Sequence, residues 1–117
     1  MLAFKEWPTA TAMPWRSSIV PVTAAPRPEP VEAATLRDPS SGRAMRVSTS
    51  EPGVQLYTSN FLDGVAGKRG AIHLRHAALC LETQRFPDAV HHDGFSSIVL
   101  RPGETYRQRT VYAFGSD

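Results

Sequence analysis

The sequence predicts an all-β protein. From about residue 36 to residue 117, short runs rich in Val, Leu, Thr and Tyr alternate with Gly- and Pro-containing turns, which is typical of strands joined by tight connections. Apolar and polar residues alternate within these runs with a period of two. No segment shows a convincing helical spacing, and no internal repeat is visible.

The first two predicted strands flank a Glu-Pro-Gly turn. Residues 38–43 (Asp-Pro-Ser-Ser-Gly-Arg) form a turn that leads into a strand over 44–50. Residues 51–53 end this strand because Pro and Gly interrupt regular structure. The second strand follows over 54–60.

Two further strands are predicted toward the C-terminus. A glycine-rich loop at 63–70 precedes a third strand at 77–84. Residues 101–104 (Arg-Pro-Gly-Glu) place Pro and Gly where a type II turn requires them. The last strand is predicted over 105–114, with Tyr106, Thr110, Tyr112 and Phe114 on one face and Arg107 and Arg109 on the other.

Residues 1–35 differ in composition from the rest of the chain. They hold six of the ten prolines, and each Pro removes a backbone donor and restricts the preceding residue. We therefore expect a Pro-rich leader over 1–35 that is extended or disordered, with a packed element as the less favoured alternative. Residues 36–117 form the β-domain portion.

Composition excludes several classes of partner. The net charge of +2 and the absence of a basic run argue against nucleic acid. No run reaches the roughly 18 apolar residues of a membrane span, and early prolines interrupt any signal-peptide core. A cytoplasmic protein is expected. The single cysteine, Cys80, excludes an intrachain disulfide and a zinc site built on Cys pairs.

The four histidines do not predict a metal site. His91 and His92 are adjacent, so on a strand they would point to opposite faces. His73 and His76 lie in a connection before the third strand, and no spacing resembles a zinc motif. The Gly-rich loop also lacks the spacing of a nucleotide phosphate loop.

One face of the third strand is polar. Alternation places Cys80, Glu82 and Gln84 on one side and the leucines on the other. On the second strand, Gln55 and Tyr57 share a face in the same way. Such a set of amides and a carboxylate could line a sugar-binding cleft, although alternation alone favours a solvated surface.

Five motifs occur in a fixed order: S-G-R at 41–43, E-P-G-V-Q-L-Y-T-S-N-F-L-D-G at 51–64, G-K-R-G-A at 67–71, C-L-E-T-Q-R-F-P-D-A at 80–89 and L-R-P-G-E-T-Y at 100–106. Together they closely resemble the C-terminal end of the aldose 1-epimerase (galactose mutarotase) family. The resemblance runs from about residue 36 to residue 114. It implies part of a galactose-mutarotase-like β-sandwich (a supersandwich) that interconverts the α and β anomers of hexoses such as galactose and glucose without a cofactor.

The resemblance also implies roles for individual residues. Glu82 matches the general base that removes the proton from the anomeric hydroxyl, while a histidine acid protonates the ring oxygen. The ring opens, the C1–C2 bond rotates, and closure gives the other anomer. Gln55 matches a substrate-binding glutamine. Gln84, which alternation places on the same face as Glu82, is a second candidate for substrate binding. Acid and base exchange roles on closure.

The family's catalytic histidine lies upstream of the first motif, and nothing in residues 1–35 matches it. The chain is therefore expected to be roughly the last quarter of a family member, with Glu82 lacking its acid partner. Three alternatives stay open: an epimerase fragment, a non-catalytic carbohydrate-binding protein, and a truncated, inactive remnant. Exposed sheet edges would favour self-association or a complementing fragment.

Overall fold

A computed structural model describes residues 17–116 of the chain and shows an all-β protein, as the sequence predicts. Its strands are β1 (Ser17–Pro21), β2 (Val31–Arg37), β3 (Arg43–Thr49), β4 (Gly53–Tyr57), β5 (Val65–Ala66), β6 (Ile72–His73), β7 (Cys80–Gln84) and β8 (Thr110–Ser116). The helices in this range are two single 3-10 turns, Lys68–Gly70 and Ala89–His91.

Two three-stranded antiparallel sheets enclose the core. Sheet I has the order β1-β4-β7, sheet II has the order β2-β3-β8, and β5 pairs with β6 as a separate hairpin. The buried apolar side chains come from both sheets: Ala33, Ala34, Val47, Val54 and Leu81. Thr83 of sheet I and Thr110 of sheet II share a hydrogen bond of 2.5 Å. The sheets therefore face each other as layers of a sandwich.

The predicted strands at 44–50 and 54–60 correspond to β3 and β4. The third is shorter than predicted, since β7 begins at Cys80. The long strand predicted over 105–114 is wrong in its first half, because β8 begins at Thr110. Residues 105–109 form no strand, and within them the Tyr106 hydroxyl donates a hydrogen bond to Glu51.

The turn at 38–43 is held by its aspartate. Asp38 accepts hydrogen bonds from the Ser41 hydroxyl at 2.7 Å and from the hydroxyl and backbone N–H of Ser40 at 2.7 and 3.0 Å. These bonds, from Ser41 first and then Ser40, lower the pKa of Asp38 to about 2, and Arg43 adds a smaller effect in the same direction. Hydrogen bonds favour the charged carboxylate.

The predicted type II turn is also present. Gly103 has a φ of +86°, which only glycine adopts without strain. The N–H of Glu104 donates to the carbonyl of Arg101 at 3.0 Å and closes the turn.

Two strands include residues of the Pro-rich segment. β1 lies at the edge of sheet I, with Pro21 as its last residue, a position where a missing N–H is tolerated. Residues 31–35 begin β2 and contribute Ala33 and Ala34 to the core. These two stretches are therefore packed, which is the alternative that their proline content made less favoured. Residues 1–16 of the predicted leader lie outside the described residues, and the boundary at residue 36 stays a prediction.

Several large apolar side chains stay exposed in this structure, among them Phe114 at 78%. In the ladders described, four strands of the two three-stranded sheets pair on one side only: β1, β2, β7 and β8. Self-association through such edges stays a prediction. No helix among residues 17–116 is both long and apolar enough to cross a membrane.

Candidate functional site

The outer face of sheet I brings the three predicted site residues together. In the β4–β7 ladder, Gln55 lies directly opposite Glu82, and Gly53 lies opposite Gln84. Directly opposed residues of an antiparallel pair have Cβ atoms roughly 5 Å apart. Glu82 and Gln84 share one face of β7, so this polar face carries all three side chains.

The core explains why these side chains point outward. Val54 and Leu81 are buried between the sheets, and each is adjacent in sequence to a polar residue of the face. Glu82 is exposed on the edge strand β7, whereas Gln55 on the central strand is half-buried. A solute can therefore reach the carboxylate while the amide is held against the sheet.

Aromatic rings lie at one end of this polar face. Tyr57, paired with Cys80 in the ladder, stacks on Phe61 with ring centroids 6.3 Å apart and planes 16° apart. The backbone N–H of Phe61 donates to the Tyr57 hydroxyl at 3.2 Å. This bond fixes the phenol ring relative to the turn that follows β4.

A second aromatic group lies at the opposite end. A Cβ placed on Gly53 would lie 3.3 Å from Cε1 of Phe86 and 3.1 Å from Cδ1 of Ile19, so the glycine lets both side chains approach the backbone. The Phe86 ring also packs on Phe95, with centroids 4.7 Å apart. A polar floor between aromatic walls is an arrangement suited to a sugar ring.

His76 joins the ends of β4 and β7. Its Nδ1 lies 2.8 Å from the carbonyl of Thr58 and donates to it, and its backbone N–H donates to the carbonyl of Ser59 at 3.2 Å. The Ser59 hydroxyl then donates to the carbonyl of Ala78 at 2.7 Å. These bonds hold the start of β7 against the end of β4.

His91 and His92 lie in a turn and not on a strand, so the argument about opposite strand faces does not apply to them. His91 ends a 3-10 turn and His92 follows it, and both approach one carboxylate. His91 Nδ1 contacts Oδ1 of Asp88, and His92 Nε2 lies 3.7 Å from Oδ2. Within residues 17–116, no group of three or more His, Cys, Asp or Glu side chains is arranged to hold a metal ion.

A buried carboxylate near this face was missed by sequence reasoning. Glu51 is 1% exposed. The Tyr106 hydroxyl donates to its Oε1 at 2.8 Å, and Nε of Arg85 lies 3.3 Å from its Oε2. The Arg85–Glu51 contact is an ion pair without hydrogen-bond alignment. The Arg85 guanidinium also lies 5.8 Å from the centroid of the Tyr106 ring, within the range of a cation–π contact.

This Glu51–Arg85–Tyr106 cluster links three segments of chain. Glu51 precedes β4, Arg85 follows β7, and Tyr106 precedes β8. A carboxylate in a Glu-Pro-Gly turn is expected to be exposed to solvent, so the sequence pattern did not indicate that Glu51 is buried. The signal available was that all three residues fall within motifs shared with the resembled family.

The cluster raises the pKa of Tyr106. Burial of the hydroxyl is the main cause, followed by the hydrogen bond and the negative charge of Glu51, while Arg85 opposes them. The phenol therefore stays a protonated donor to the carboxylate through neutral pH.

A cleft adjoins the polar face but is not lined by Glu82. It has a volume of about 1070 Å³ and lies beyond the end of β7. Gln84 and Phe86 line it, together with Tyr106 and the segment 97–100. The polar face, not the cleft, carries the predicted acid–base chemistry, because Glu82 and Gln55 lie there.

Comparison with known proteins identifies a family over most of the chain. The family sequence profile described as aldose 1-epimerase matches residues 20–113, which begins earlier than the predicted domain start. Galactose mutarotase from Mus musculus is 50% identical over 82 residues, covering 69% of this chain and 24% of that protein.

Other relatives show the same partial coverage. Galactose mutarotase from Homo sapiens is 49% identical over 82 residues, covering 69% of this chain and 24% of the relative. Aldose 1-epimerase from Haemophilus influenzae is 30% identical over 81 residues, covering 68% of this chain and 24% of the relative. The chain thus spans about a quarter of the length of the curated relatives it matches.

Proposed function

Because this chain belongs to the aldose 1-epimerase family, a family of isomerases, we propose that its polar face binds a hexose and takes part in interconverting the α and β anomers. The observation that carries the proposal is the register of β4 against β7, which sets Gln55 opposite Glu82. One side chain then orients the sugar while the other acts on it.

In this proposal Glu82 is the general base. Its carboxylate takes the proton from the C1 hydroxyl of the hexose, and the C1–O5 bond breaks as a proton is added to the ring oxygen. The open aldehyde rotates about C1–C2. The C5 hydroxyl then attacks the other side of C1 and returns its proton to the group that had protonated the ring oxygen, while the carbonyl oxygen regains a proton from Glu82. No net proton is gained or lost, so no cofactor is required by the chemistry.

Gln55 and Gln84 are the proposed substrate-binding residues. A side-chain amide both donates and accepts hydrogen bonds, which matches a sugar hydroxyl. Gln55 is half-buried on the central strand, and its backbone is fixed by neighbours on both sides. It is therefore suited to orient the anomeric hydroxyl toward Glu82.

We assign no acid among the described histidines. His76 uses Nδ1 on the Thr58 carbonyl, and His91 and His92 lie against Asp88. The His73 ring lies over Gly67, where a Cβ would be 2.2 Å from its Nε2. The proton for the ring oxygen is then supplied by a group outside these residues or by solvent.

Polarimetry on freshly dissolved α-D-glucose or α-D-galactose tests the proposal. We expect the chain to accelerate the change in rotation over buffer, and Glu82→Gln to remove roughly 10²–10⁴-fold of that acceleration, as for loss of a positioned base. Glu32→Gln is the matched control, since Glu32 is an exposed carboxylate on β2 of the other sheet. No acceleration by the unmodified chain, or an equal loss in both variants, would refute the assignment.

A second candidate function is carbohydrate binding without catalysis. It is favoured by the aromatic walls around Gln55 and Glu82. The contacts of His76, His91 and His92 with other groups also favour it. Calorimetric titration with galactose separates the two functions. Binding that weakens in Gln55→Ala, with no acceleration in polarimetry, would support this candidate over the enzyme.

A further inference from the structure

The outer edge of β8 is open to another strand, because β8 pairs only with β3 in the described ladders. We propose that this edge pairs with β8 of a second copy of the chain. The two strands run antiparallel about a two-fold axis at Ala113, and sheet II becomes one six-stranded sheet across both copies. The inference concerns assembly and does not depend on the proposed hexose function.

β8 differs from the other three edge strands of sheets I and II. Unpaired edges are commonly protected from association by charged residues or by proline. β1 ends in Pro21, which has no N–H to donate, while β2 carries exposed Glu32 and β7 carries exposed Glu82. The seven residues of β8 include no charge and no proline, and the last six are exposed. β8 is therefore the edge best suited to pair with a strand like itself.

One face of β8 points toward sheet I. The Thr110 hydroxyl contacts that of Thr83 at 2.5 Å, and the Tyr112 hydroxyl donates to the carbonyl of Leu81 at 3.4 Å. Phe114 lies two residues beyond Tyr112 and so shares this face.

Phe114 extends the core face of sheet II beyond its covered part. Met45 lies opposite Phe114 in the β3–β8 ladder and packs against the core, yet Phe114 itself is 78% exposed. Tyr112 is 45% exposed on the same face. A partner strand laid along β8 would cover both rings.

A two-fold axis at Ala113 pairs these two aromatic residues. It keeps the faces of both copies on the same side of the sheet, and it sets Tyr112 of each copy directly opposite Phe114 of the other. Directly opposed aromatic side chains are a favourable cross-strand pair, and the symmetry forms this pair twice. The strand is therefore complementary to itself in this register.

The charges that flank β8 agree with the same register. Arg109 precedes the strand and Asp117 follows it, each at the same distance in sequence from Ala113. Asp117 lies outside the described residues, and the pairing assigns it to Arg109 of the second copy. Moving the axis to Tyr112 or Phe114 would lose this opposition of charges and both Tyr–Phe pairs.

The contact is small, so the dimer should be reversible. Taking about 200 Å² for one aromatic side chain, the exposed parts of Tyr112 and Phe114 come to roughly 250 Å² per copy. Stable interfaces bury roughly 800 Å² per partner. We therefore expect a weak dimer with a Kd of roughly 10–100 μM.

Sedimentation equilibrium of the full chain, over a concentration series that spans this Kd, tests the inference. We expect a monomer–dimer equilibrium. Phe114→Lys removes one member of each aromatic pair and adds a charge to the edge, so it should raise the Kd about tenfold or more. Ile72→Lys is the matched control, since Ile72 is 66% exposed and lies on the separate hairpin, and it should leave the Kd unchanged.

Cysteine cross-linking tests the register. In a Cys80→Ser background, Ala113→Cys sets two thiols across the axis with Cβ atoms roughly 5 Å apart, close to the roughly 4 Å of a disulfide. Oxidised glutathione, which takes up the two protons and two electrons, should convert this variant to a covalent dimer. Ala71→Cys in the same background is the control, because Ala71 is an exposed alanine away from β8.

Four outcomes would overturn the inference. They are a monomer at every concentration, a Kd that is the same in Phe114→Lys as in the unmodified chain, larger oligomers in place of a closed dimer, and cross-linking that is no faster in Ala113→Cys than in Ala71→Cys. Circular dichroism of Phe114→Lys should match that of the unmodified chain, because the replaced ring is largely exposed in the single copy.

Discussion

Removing the Tyr106 hydroxyl should destabilise the fold far more than removing the hydroxyl of Tyr112. Tyr106→Phe deletes a bond of 2.8 Å to the Glu51 carboxylate, which is 1% exposed and cannot turn to water instead. Hydrogen bonds to charged groups contribute about 1.5–3 kcal/mol. We therefore expect a loss of about 2 kcal/mol in the free energy of unfolding.

Tyr112→Phe provides a matched control. Tyr112 is 45% exposed, close to the 51% of Tyr106, but its hydroxyl donates to the neutral carbonyl of Leu81 at 3.4 Å. Such a long, neutral bond should contribute about 0.5 kcal/mol. Both variants lose one oxygen from the same type of side chain. The difference between their losses in unfolding free energy therefore measures the effect of the hydrogen bond to the buried carboxylate.

Urea unfolding followed by circular dichroism measures both free energies. An unchanged denaturant slope would show that the unfolded states are comparable. The melting temperature should fall by roughly 4–8 °C for each kcal/mol lost. Equal losses in the two variants, or a loss below about 0.5 kcal/mol in Tyr106→Phe, would refute the view that Glu51 depends on this donor.

The pH dependence of the unfolding free energy provides a second test of the Tyr106–Glu51 contact. The folded pKa of Tyr106 is raised above the ordinary value of 10.0, so the folded state holds this proton more tightly. The contribution of this proton to the free energy of unfolding is complete below pH 10 and is lost as pH rises through the folded pKa. The alkaline decline in unfolding free energy should therefore be smaller in Tyr106→Phe than in the unmodified chain.

Three further predictions concern separate parts of the fold. The pKa of Asp38 is about 2 in the folded chain, against an ordinary value of 3.8. Its contribution to the free energy of unfolding is therefore present above pH 3.8 and lost as pH falls toward 2. In urea unfolding between pH 2 and pH 5, Asp38→Asn should lack this part of the loss of stability. Gly103→Ala should cost about 1–2 kcal/mol in urea unfolding because φ is +86°, whereas Gly94→Ala, with no neighbour within 4 Å of the added Cβ, should lie within about 0.5 kcal/mol of the unmodified chain; equal costs would contradict the turn assignment. The exposed thiol of Cys80 should react with a thiol reagent in the folded chain, and saturating hexose should slow labelling because Cys80 shares a strand face with Glu82; an unchanged rate would place the sugar elsewhere.

Local sequence patterns predicted local features correctly. Alternation on β7 placed Glu82 and Gln84 on one face, and the ladder confirms that they share it. Pro102 and Gly103 predicted the type II turn, because each restricts or permits one backbone angle. These predictions succeed because their physical cause lies within a few neighbouring residues.

Other predictions failed where a distant partner decides the outcome. The last strand was placed too early, because alternation could not show that the Tyr106 hydroxyl bonds to Glu51, 55 residues away in sequence. The prolines disfavoured packing at 31–35, yet they lie outside the interior of β2 and leave its ladder intact.

The sequence by itself determined the all-β class, the turn positions, the polar side of β7 and, through its motifs, the family. Only the tertiary structure decided that β4 lies between β1 and β7, which sets Gln55 opposite Glu82. It also decided that Glu51 is buried between Arg85 and Tyr106. The physical reason is that alternation fixes which way a side chain points, whereas strand register and the pairing of buried charges depend on contacts between segments far apart in the chain.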